Sequence, residues 1–459
     1  MGTFDGLSVA LSGLYAQRQG MDIAAQNVAN ASTAGYTRQR VALQSVGSLA
    51  VPDLWSSSRD ETGGVLVAGV DRVTDPYLDS QVRDSHAVAS ELTSSANAMA
   101  SVEQVFTEPS DTGLSDALSS FFSAFHDVAN QPADLGVRSS LLQKAAAVTD
   151  WLHSASTRLT AQQQALGSQA TSLVAQVDDA AKQLAGLNQT IARAVPNGVQ
   201  ANELKDQRDQ LALRLSELVG GTVTTDDAGN VNVRLGGNEL VTGSTVNLLT
   251  TSQVAGQTVV QWAQGGATAT IPGGSLFGVI DAAQNEIPAW SARLDQVAAT
   301  LASQVNSLHQ SGFDLGGTAG GAFFTGTTAA SLTVAISDPR LVAASAVAPG
   351  ATGPSLNTGV ADKLAMLSSS QTGPSAGYAR LVADVGVASS SLQNQLATQA
   401  SVVASVDAAK TSTSGVSIDE EMTAIVAYQR AYEASSRVMT AIDSLLDTLI
   451  NRTGLVGRG

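Results

Sequence analysis

The chain has 459 residues, 43% of them hydrophobic and only 14% charged, with a net charge of −16. That length suits two to four domains with buried cores, so broad disorder is excluded, and the acidic balance disfavours nucleic acid and anionic membrane as partners. The absence of cysteine excludes thiol catalysis, zinc–thiolate sites and disulfides.

The first helix carries Phe4, Leu7, Leu11, Leu14, Met21, Ala25 and Val28 at alternating three- and four-residue steps, interrupted by Arg18. That spacing makes an apolar seam of the coiled-coil kind. The first residues lack a basic region followed by a continuous apolar core, so no cleaved secretory signal is expected. The helix is expected to stop near Asn30, where a left-handed residue can end it, with Gly35 as a second such position. Ser32 and Thr33 can tie down exposed backbone through their hydroxyls, and Tyr36 gives the emerging strand an aromatic anchor. An extended stretch to about Asp75 holds Val65, Val67 and Val70, which suggest a short β-ribbon.

Helices are expected from Pro76 to Phe106, after Glu108-Pro109-Ser110 with Ser110 or Asp111 as cap, from Gly136 to Thr160, and along the seam Leu166 to Ile191 that Pro196 and Gly198 end. Leu114, Leu118, Phe121, Phe122 and Phe125 form one apolar face. A further helix runs from Asn202 to Leu218, where Glu203, Lys205, Asp206, Arg208 and Asp209 read as a solvated face. The period then switches to that of strands from Thr222 to Ile271, with turns at Asp226–Asn230 and Gly236–Asn238. Helical spacing returns at Gly274, Pro288 starts or kinks a helix, and Phe323 and Phe324 anchor a glycine-rich loop. Leu332 to Ile336 reads as one strand. The last two helices run from about Ser375 to Lys410 and from Ile418 to Asn451, with a break at Ser412–Gly415 and a stop near Gly454.

The final helix carries two stripes. One holds Ala424, Tyr428, Ala431, Ser435, Val438, Ile442, Leu445 and Leu449; the other holds Ile418, Met422, Ile425, Tyr432, Met439 and Leu446. Its apolar face is wider than one partner helix needs. Ser417 with Glu420 forms a capping box, and Asp419, Glu420 and Glu421 suit the positive end of the helix dipole.

No catalytic, cofactor or metal constellation is visible. His86, His126, His153 and His309 sit apart without a second ligand at metal spacing. No nucleophile elbow, phosphate loop or dinucleotide fingerprint occurs. Asp226-Asp227 with Gly229-Asn230 resembles a calcium loop but lacks the alternating ligands and the terminal Glu. No run of about eighteen apolar residues spans a membrane.

Asn27, Val28, Ala29, Asn30, Thr33, Gly35 and Tyr36 resemble the N-x-x-N-x-x-T-x-G-[FY] motif of the flagellar axial proteins, which include rod, hook and hook-associated proteins. The run from Ser414 to Arg452 is similar to their shared C-terminal helix. GYTRQRV from Gly35, the run Val102 to Pro132, ELKDQRDQLALRLSELVGG from Glu203 and HQSGFDLGGTAGGAFF from His309 resemble the hook-associated members, whereas Thr222 to Ile271 carries no such match.

The resemblance implies a non-enzymatic structural subunit that binds no cofactor and makes an adaptor between hook and filament. It implies a homo-oligomer in a tubular ring, in contact with hook protein and a second hook-associated junction protein, served by an export chaperone and exported without a cleaved signal. The residue patterns themselves read as a mainly α fold with a small β insertion: paired coiled-coil-like terminal helices, a central helical bundle and an antiparallel β domain. The expected units are residues 1–60 with 412–459 as axial core, 61–219 with 273–411 as helical bundle, and 220–272 as β insertion, facing outward. Phe4, Leu7, Leu11, Leu14, Met21, Val28, Ile418, Met422, Ile425, Tyr428, Tyr432, Val438, Ile442, Leu445 and Leu449 are the expected assembly seam. Asn27, Asn30, Thr33, Gly35 and Tyr36 are the motif turn. The alternatives are another axial subunit, from hook or distal rod, or a secreted adhesin or enzyme on an axial scaffold.

Overall fold

The computed structural model describes residues 3–46, 63–197, 200–348 and 357–452. It is mainly helical with small antiparallel sheets. The chain opens with α1 (Thr3–Asn30), then the ribbon β1 (Gln39–Val46) and β2 (Gly64–Arg72), paired antiparallel with a bulge between Ala42 and Leu43. Four helices follow: α2 (Pro76–Glu103), α3 (Leu114–Asn130), α4 (Leu135–Ala194) and α5 (Asn202–Val219). Asp75 caps α2 by accepting from the amides of Tyr77 and Leu78, and Pro76 suits the first turn because its missing N–H is not needed there. Neither Ser110 nor Asp111 caps α3. Gly113 stands at that position without a capping side chain, and the Glu108 carboxylate reaches over to accept from the amide of Ser115 at 3.1 Å.

The two helical segments expected between Gly136 and Ile191 are one helix of 60 residues, α4. At 1.5 Å per residue it spans ~90 Å. No proline interrupts it, and Leu141, Val148, Leu152, Leu159, Leu166, Val177, Leu184 and Ile191 are buried along it. It is the spine on which the rest of the bundle is laid. Against it sits an aromatic cluster of Phe121, Phe122, Phe125, Phe323 and Phe324, all essentially inaccessible, with ring centroids 4.9–5.8 Å apart in tilted and edge-on pairs. The glycine-rich loop thus delivers its two phenylalanines into the core.

Between α5 and α6 (Gly274–Asp281) lie β3 (Thr222–Thr225), β4 (Val231–Leu235), β5 (Asn238–Thr242) and β6 (Thr245–Val246) in one sheet, and β7 (Leu249–Val254) with β8 (Gln257–Trp262) in a hairpin. Residues 267–271, expected as a strand, make only an isolated bridge, Gln261 to Thr268. The insertion leaves and rejoins the bundle through a glycine pinch. Gly220 ends α5 in the left-handed conformation (φ 62°), and a Cβ there would lie 2.6 Å from the Cα of Gly273.

The apolar side of the insertion is continuous with the helical core: Val233, Leu235, Leu240, Val241, Val260 and Trp262 belong to the same buried cluster as the α4 residues. Polar clips from α4 add direction. Asn188, buried, donates to the carbonyls of Val231 and Gly243 at 2.8 Å and accepts from the Val231 amide. Asp178 accepts from the Leu249 amide at 3.0 Å. The Asp226 carboxylate is taken up by Asn230 and Asn232 within its own turn.

A π turn at Ala282–Glu286 joins α6 to α7 (Ile287–Gln310). It sits immediately before Pro288, whose ring cannot accept an ordinary turn behind it and whose nitrogen donates no hydrogen bond. The short strands β9 (Phe324–Thr325) and β10 (Thr333–Val334) pair, and α8 (Gly359–Met366) leads to the two closing helices, α9 (Pro374–Ser414) and α10 (Ile418–Asp447), with a final π turn at Thr448–Arg452. The expected stop near Gly454 lies outside the described residues.

Two outcomes follow. The ring of His309 is held in the core as a neutral imidazole: Nδ1 donates to the Gly321 carbonyl at 2.8 Å, and Nε2 accepts from the Ala343 amide at 2.8 Å. Burial lowers its pKa. The unfolded chain takes up a proton near the ordinary histidine value of ~6.5 and the folded chain does not, so the stability His309 contributes is full above ~6.5 and is lost as pH falls below it, by at most ~1.4 kcal/mol per pH unit. Thermal melts from pH 7.5 to 5 should fall more steeply for the native chain than for His309→Gln; parallel profiles would overturn this. Second, replacing Thr222 to Ile271 by a short Gly/Ser linker should close without strain at the pinch, yet lower the bundle's melting temperature by removing the apolar face that covers α4. An unchanged transition by calorimetry would show that α4 does not depend on the insertion.

Candidate functional site: the terminal helix pair and its polar junction

Helices α1 and α10 run antiparallel along each other. The lane of α1 that meets α10 is not the predicted apolar seam. It is Gly6, Gly13, Gly20 and Asn27, each seven residues from the next. A Cβ on Gly6 would lie 3.2 Å from Ile442, on Gly13 3.3 Å from the Ser435 hydroxyl, and on Gly20 2.7 Å from the Tyr428 ring. Asn27 reaches Glu421. The four opposing residues are again seven apart, so the two heptads interlock along the pair. With hydrogen at the three glycines the backbones come close, and the apolar side chains of α1 flank the contact instead. Leu7, Leu14, Met21 and Val28 are half-buried, Leu11 is exposed, and the side chain of Phe4 lies outside the described residues.

On α10 the inward residues are Glu421, Ala424, Ile425, Tyr428, Ala431, Ser435, Met439, Ile442 and Leu446, all buried or half-buried. Val438, Leu445 and Leu449, expected on the same stripe, are exposed, Leu445 to 60%. A straight helix repeats every 3.6 residues and drifts ~20° per heptad. Eighteen residues complete five turns, so Met439 and Leu446 stand over Glu421 and Tyr428 while the seven-residue pattern rolls off the contact. Ile418, Met422, Val426 and Tyr432 are exposed as well, as are Val9 and Tyr15 on α1. The pair therefore keeps a complete inner lane and leaves apolar stripes open on either flank of it.

Where the pair meets the bundle, the chain builds a polar knot. Asn27 is 1% exposed. Its amide nitrogen donates to the Gln39 carbonyl (2.9 Å) and to Glu421 (3.0 Å); its oxygen accepts from the Gln39 amide (3.0 Å) and the Tyr36 hydroxyl (2.9 Å). One carboxamide thus joins α1, the motif turn, β1 and α10. Burial, with Asp206, Glu203 and Glu421 nearby, pushes the Tyr36 phenol up to about 12, so it stays a donor. Asn30 does not turn left-handed; it remains helical, donates to the Gln26 carbonyl and accepts from Thr33. Gly35 alone makes the reversal, with φ 74°, and Gln210 of α5 packs on it, donating to the Ala34 carbonyl.

Two arginines complete the knot. Arg38 pairs with Glu420 (2.9 Å) and Glu421 (2.7 Å), so the acidic first turn of α10 is a binding partner as well as dipole compensation. The capping box is half made: Ser417 accepts from the Glu420 amide, while the Glu420 carboxylate goes to Arg38. Arg72 pairs with Asp206 (2.8 Å) and with Asp209. The expectation of a solvated α5 face fails here, because Asp206 and Arg208 are buried; the period of the helix turns Asn202, Asp206 and Asp209 toward the ribbon. Burial raises the Asp206 pKa, opposed by Arg72 and by the hydroxyl and amide of Thr37. Asn202 bridges Gln39 and the Val70 carbonyl. Farther along, His86 lies between Glu217 and Asp407, and Lys410 pairs with Asp79. Sequence reading missed Arg38, Gln39 and Arg72 and took Asp206 for a solvated residue. Arg38 and Gln39, inside the quoted GYTRQRV run, and Asp206, inside ELKDQRDQ, carried a signal that could have found them; Arg72 carried none.

Among the described residues no group of His, Asp or Glu side chains could hold a metal ion, and no helix is long and apolar enough to cross a membrane. The arrangement binds and orients; it is a joint.

The parts of this joint and the body it holds match known flagellar axial families. The family described as "Flagella basal body rod protein" matches residues 7–37, "Flagellar basal body rod FlgEFG protein C-terminal" matches 410–452, and "Flagellar hook-associated protein FlgK helical domain" matches 99–324. The chain is 29% identical to flagellar hook-associated protein 1 of Bacillus subtilis (strain 168), over 99% of both chains, and 27% identical to the protein of the same name in Escherichia coli (strain K12), over 96% of this chain and 98% of that one. The solved structure of the flagellar hook junction protein FlgK from Burkholderia pseudomallei shares the fold, with a TM-score of 0.65 at 18% identity, covering 74% of this chain and all of that one. These matches run over nearly the whole chain, and the full-length relatives among them are hook-associated protein 1.

Asn27→Ala should leave the Gln39 amide, the Tyr36 hydroxyl and Glu421 without their shared partner, at ~1–3 kcal/mol for each buried group left unmade. Hydrogen exchange by mass spectrometry should then quicken at residues 23–41 and 416–425, while α3 and α4 stay protected. Unchanged protection in both segments would show that Asn27 does not hold the joint.

Proposed function

We infer that the chain is a structural subunit of the bacterial flagellum that forms the hook–filament junction, without enzymatic activity. The observation that carries the finer reading is the pair of apolar stripes that the terminal helices leave open. An α10 whose inner lane is filled still presents Ile418, Met422 and Val426 on one flank of that lane and Val438, Leu445 and Leu449 on the other, since 3.6 residues make a turn, and exposed apolar stripes mark an interaction surface.

In this reading residues 1–60 with 412–459 form the axial core, and their outward stripes pack against neighbouring copies in a tubular ring. Residues 61–219 with 273–411 form the body, and 220–272 its β insertion. Hook protein contacts one side of the ring and a second hook-associated junction protein the other. A chaperone covers the stripes before export, which proceeds to the cell exterior without a cleaved signal. The mechanism is mechanical: the open face sets subunit packing, and the polar joint sets the angle between core and body.

Leu445→Asp tests it. Leu445 is exposed in the single chain, so the substitution should leave the bundle's thermal transition within about 0.5 kcal/mol of native. Burying that carboxylate between subunits would cost several kcal/mol unless it were relieved. Cells carrying it should make and export the protein, lack attached filaments and shed filament subunits into the medium. Asp443→Ala, an exposed change on the same helix, should swim normally. Normal filaments with Leu445→Asp would remove the stripe from the assembly surface.

A further inference from the structure

A groove of about 1040 Å³ runs between α2 and α9, lined by Val88 and Leu92 of α2 and by Val387, Ser391, Asn394 and Thr398 of α9. From Ala383 to Gln399 it extends ~24 Å at 1.5 Å per residue. Val387, Ser391, Asn394, Thr398 and Val402 fall at four- and three-residue steps, one stripe of α9. Val387 is 69% exposed, with Val88 and Val402 also open to solvent. Gly386 has no neighbour within 4 Å of where its Cβ would stand.

The charge pattern says what can lie there. The chain as a whole carries −16, so two copies brought together repel unless they meet where charge is absent. From Val385 to Val406, α9 has no charged residue, and from Leu92 to Val102 neither does α2. Glu91 is the one acidic side chain lining the groove. An acidic or basic partner would find nothing there to pair with beyond that carboxylate, whereas a like-charged copy can approach without opposition and cover the valines. We propose that the α2–α9 groove is a lateral docking face for a second copy of this chain, making body-to-body contact separate from the terminal seam. The proposal rests on the reading of the chain as a repeated axial subunit. Such a contact need not be large, since copies already held by their terminal pairs meet at high effective concentration.

The cysteine-free chain makes the test direct. Val387→Cys in the full chain, labelled with a benzophenone maleimide in isolated flagella and irradiated, places a photoreactive group on the groove; Leu445→Cys labelled in the same way reports the terminal seam. The expected result from position 387 is an adduct between two copies of this chain at one fixed partner segment, read by mass spectrometry. An adduct to a different protein, or none, overturns the groove as a self-docking face. If position 445 still gives adducts between copies, only the groove proposal fails; if neither position does, the repeated-subunit reading fails with it.

Discussion

The architecture depends on one carboxamide. Asn27 must satisfy a strand backbone, a tyrosine and a carboxylate in one buried place, and it can do so only when chain ends nearly 400 residues apart lie in one register. A buried amide left half-satisfied is costly, so a slip of α1 along α10 by a single residue is opposed by geometry. The glycines at seven-residue spacing then carry that register along the pair. They offer little side-chain attraction of their own. What they permit is close approach, and close approach lets Tyr428 and Ile442 cover backbone instead of side chains.

This division explains why the pair can be ordered and still unfinished. A coiled coil that used its leucines internally would present a polar exterior. Here α1 offers glycine along the inner lane, so Tyr428 and Ile442 of α10 pack on its backbone, while Val438, Leu445 and Leu449 face out. The hydrophobic effect scales with area and has no preferred direction, so such a face tolerates small differences in how neighbours sit. The polar knot behaves in the opposite way. Hydrogen bonds and ion pairs at Asn27, Arg38 and Arg72 are directional, and several are shielded from water, so the orientation of the terminal pair relative to the ribbon and α5 is specified.

Much of the fold was legible. Periodicity gave the helices because long amphipathic runs such as Leu166 to Ile191 repeat one signal many times, and the switch at Gly220 gave the strands. What periodicity cannot show is continuity: nothing between Thr160 and Leu166 breaks the helix, and only the absence of a breaker, with burial on both sides, makes α4 one element. The site was half legible. The motif turn was visible because its residues lie within ten positions, and their mutual bonds are local. Arg72 meets Asp206 and Arg38 meets Glu421 across long sequence separations, and a charged residue on a helix reads as solvated until its partner is known. The contact between α1 and α10 was missed for a different reason. An apolar pattern announces itself, whereas glycine at seven-residue spacing reads as weakness in a helix, although in this chain it marks the contact.

The same logic bears on what an adaptor between unlike tubes requires. If the joint inside each subunit were apolar and yielding, strain at a mismatched boundary would be absorbed there, and successive copies would differ in the angle between core and body. If the surfaces between copies were charged and directional, a ring could satisfy them in only one packing, and a chain of net charge −16 would add repulsion at every contact. Directional bonds lie within the subunit, and the stripes that the terminal pair leaves open are apolar. In the ring we propose, rigidity is kept in the repeating unit, and adjustment is left to the contacts between copies, where sliding by a fraction of an ångström changes buried area little and breaks no hydrogen bond.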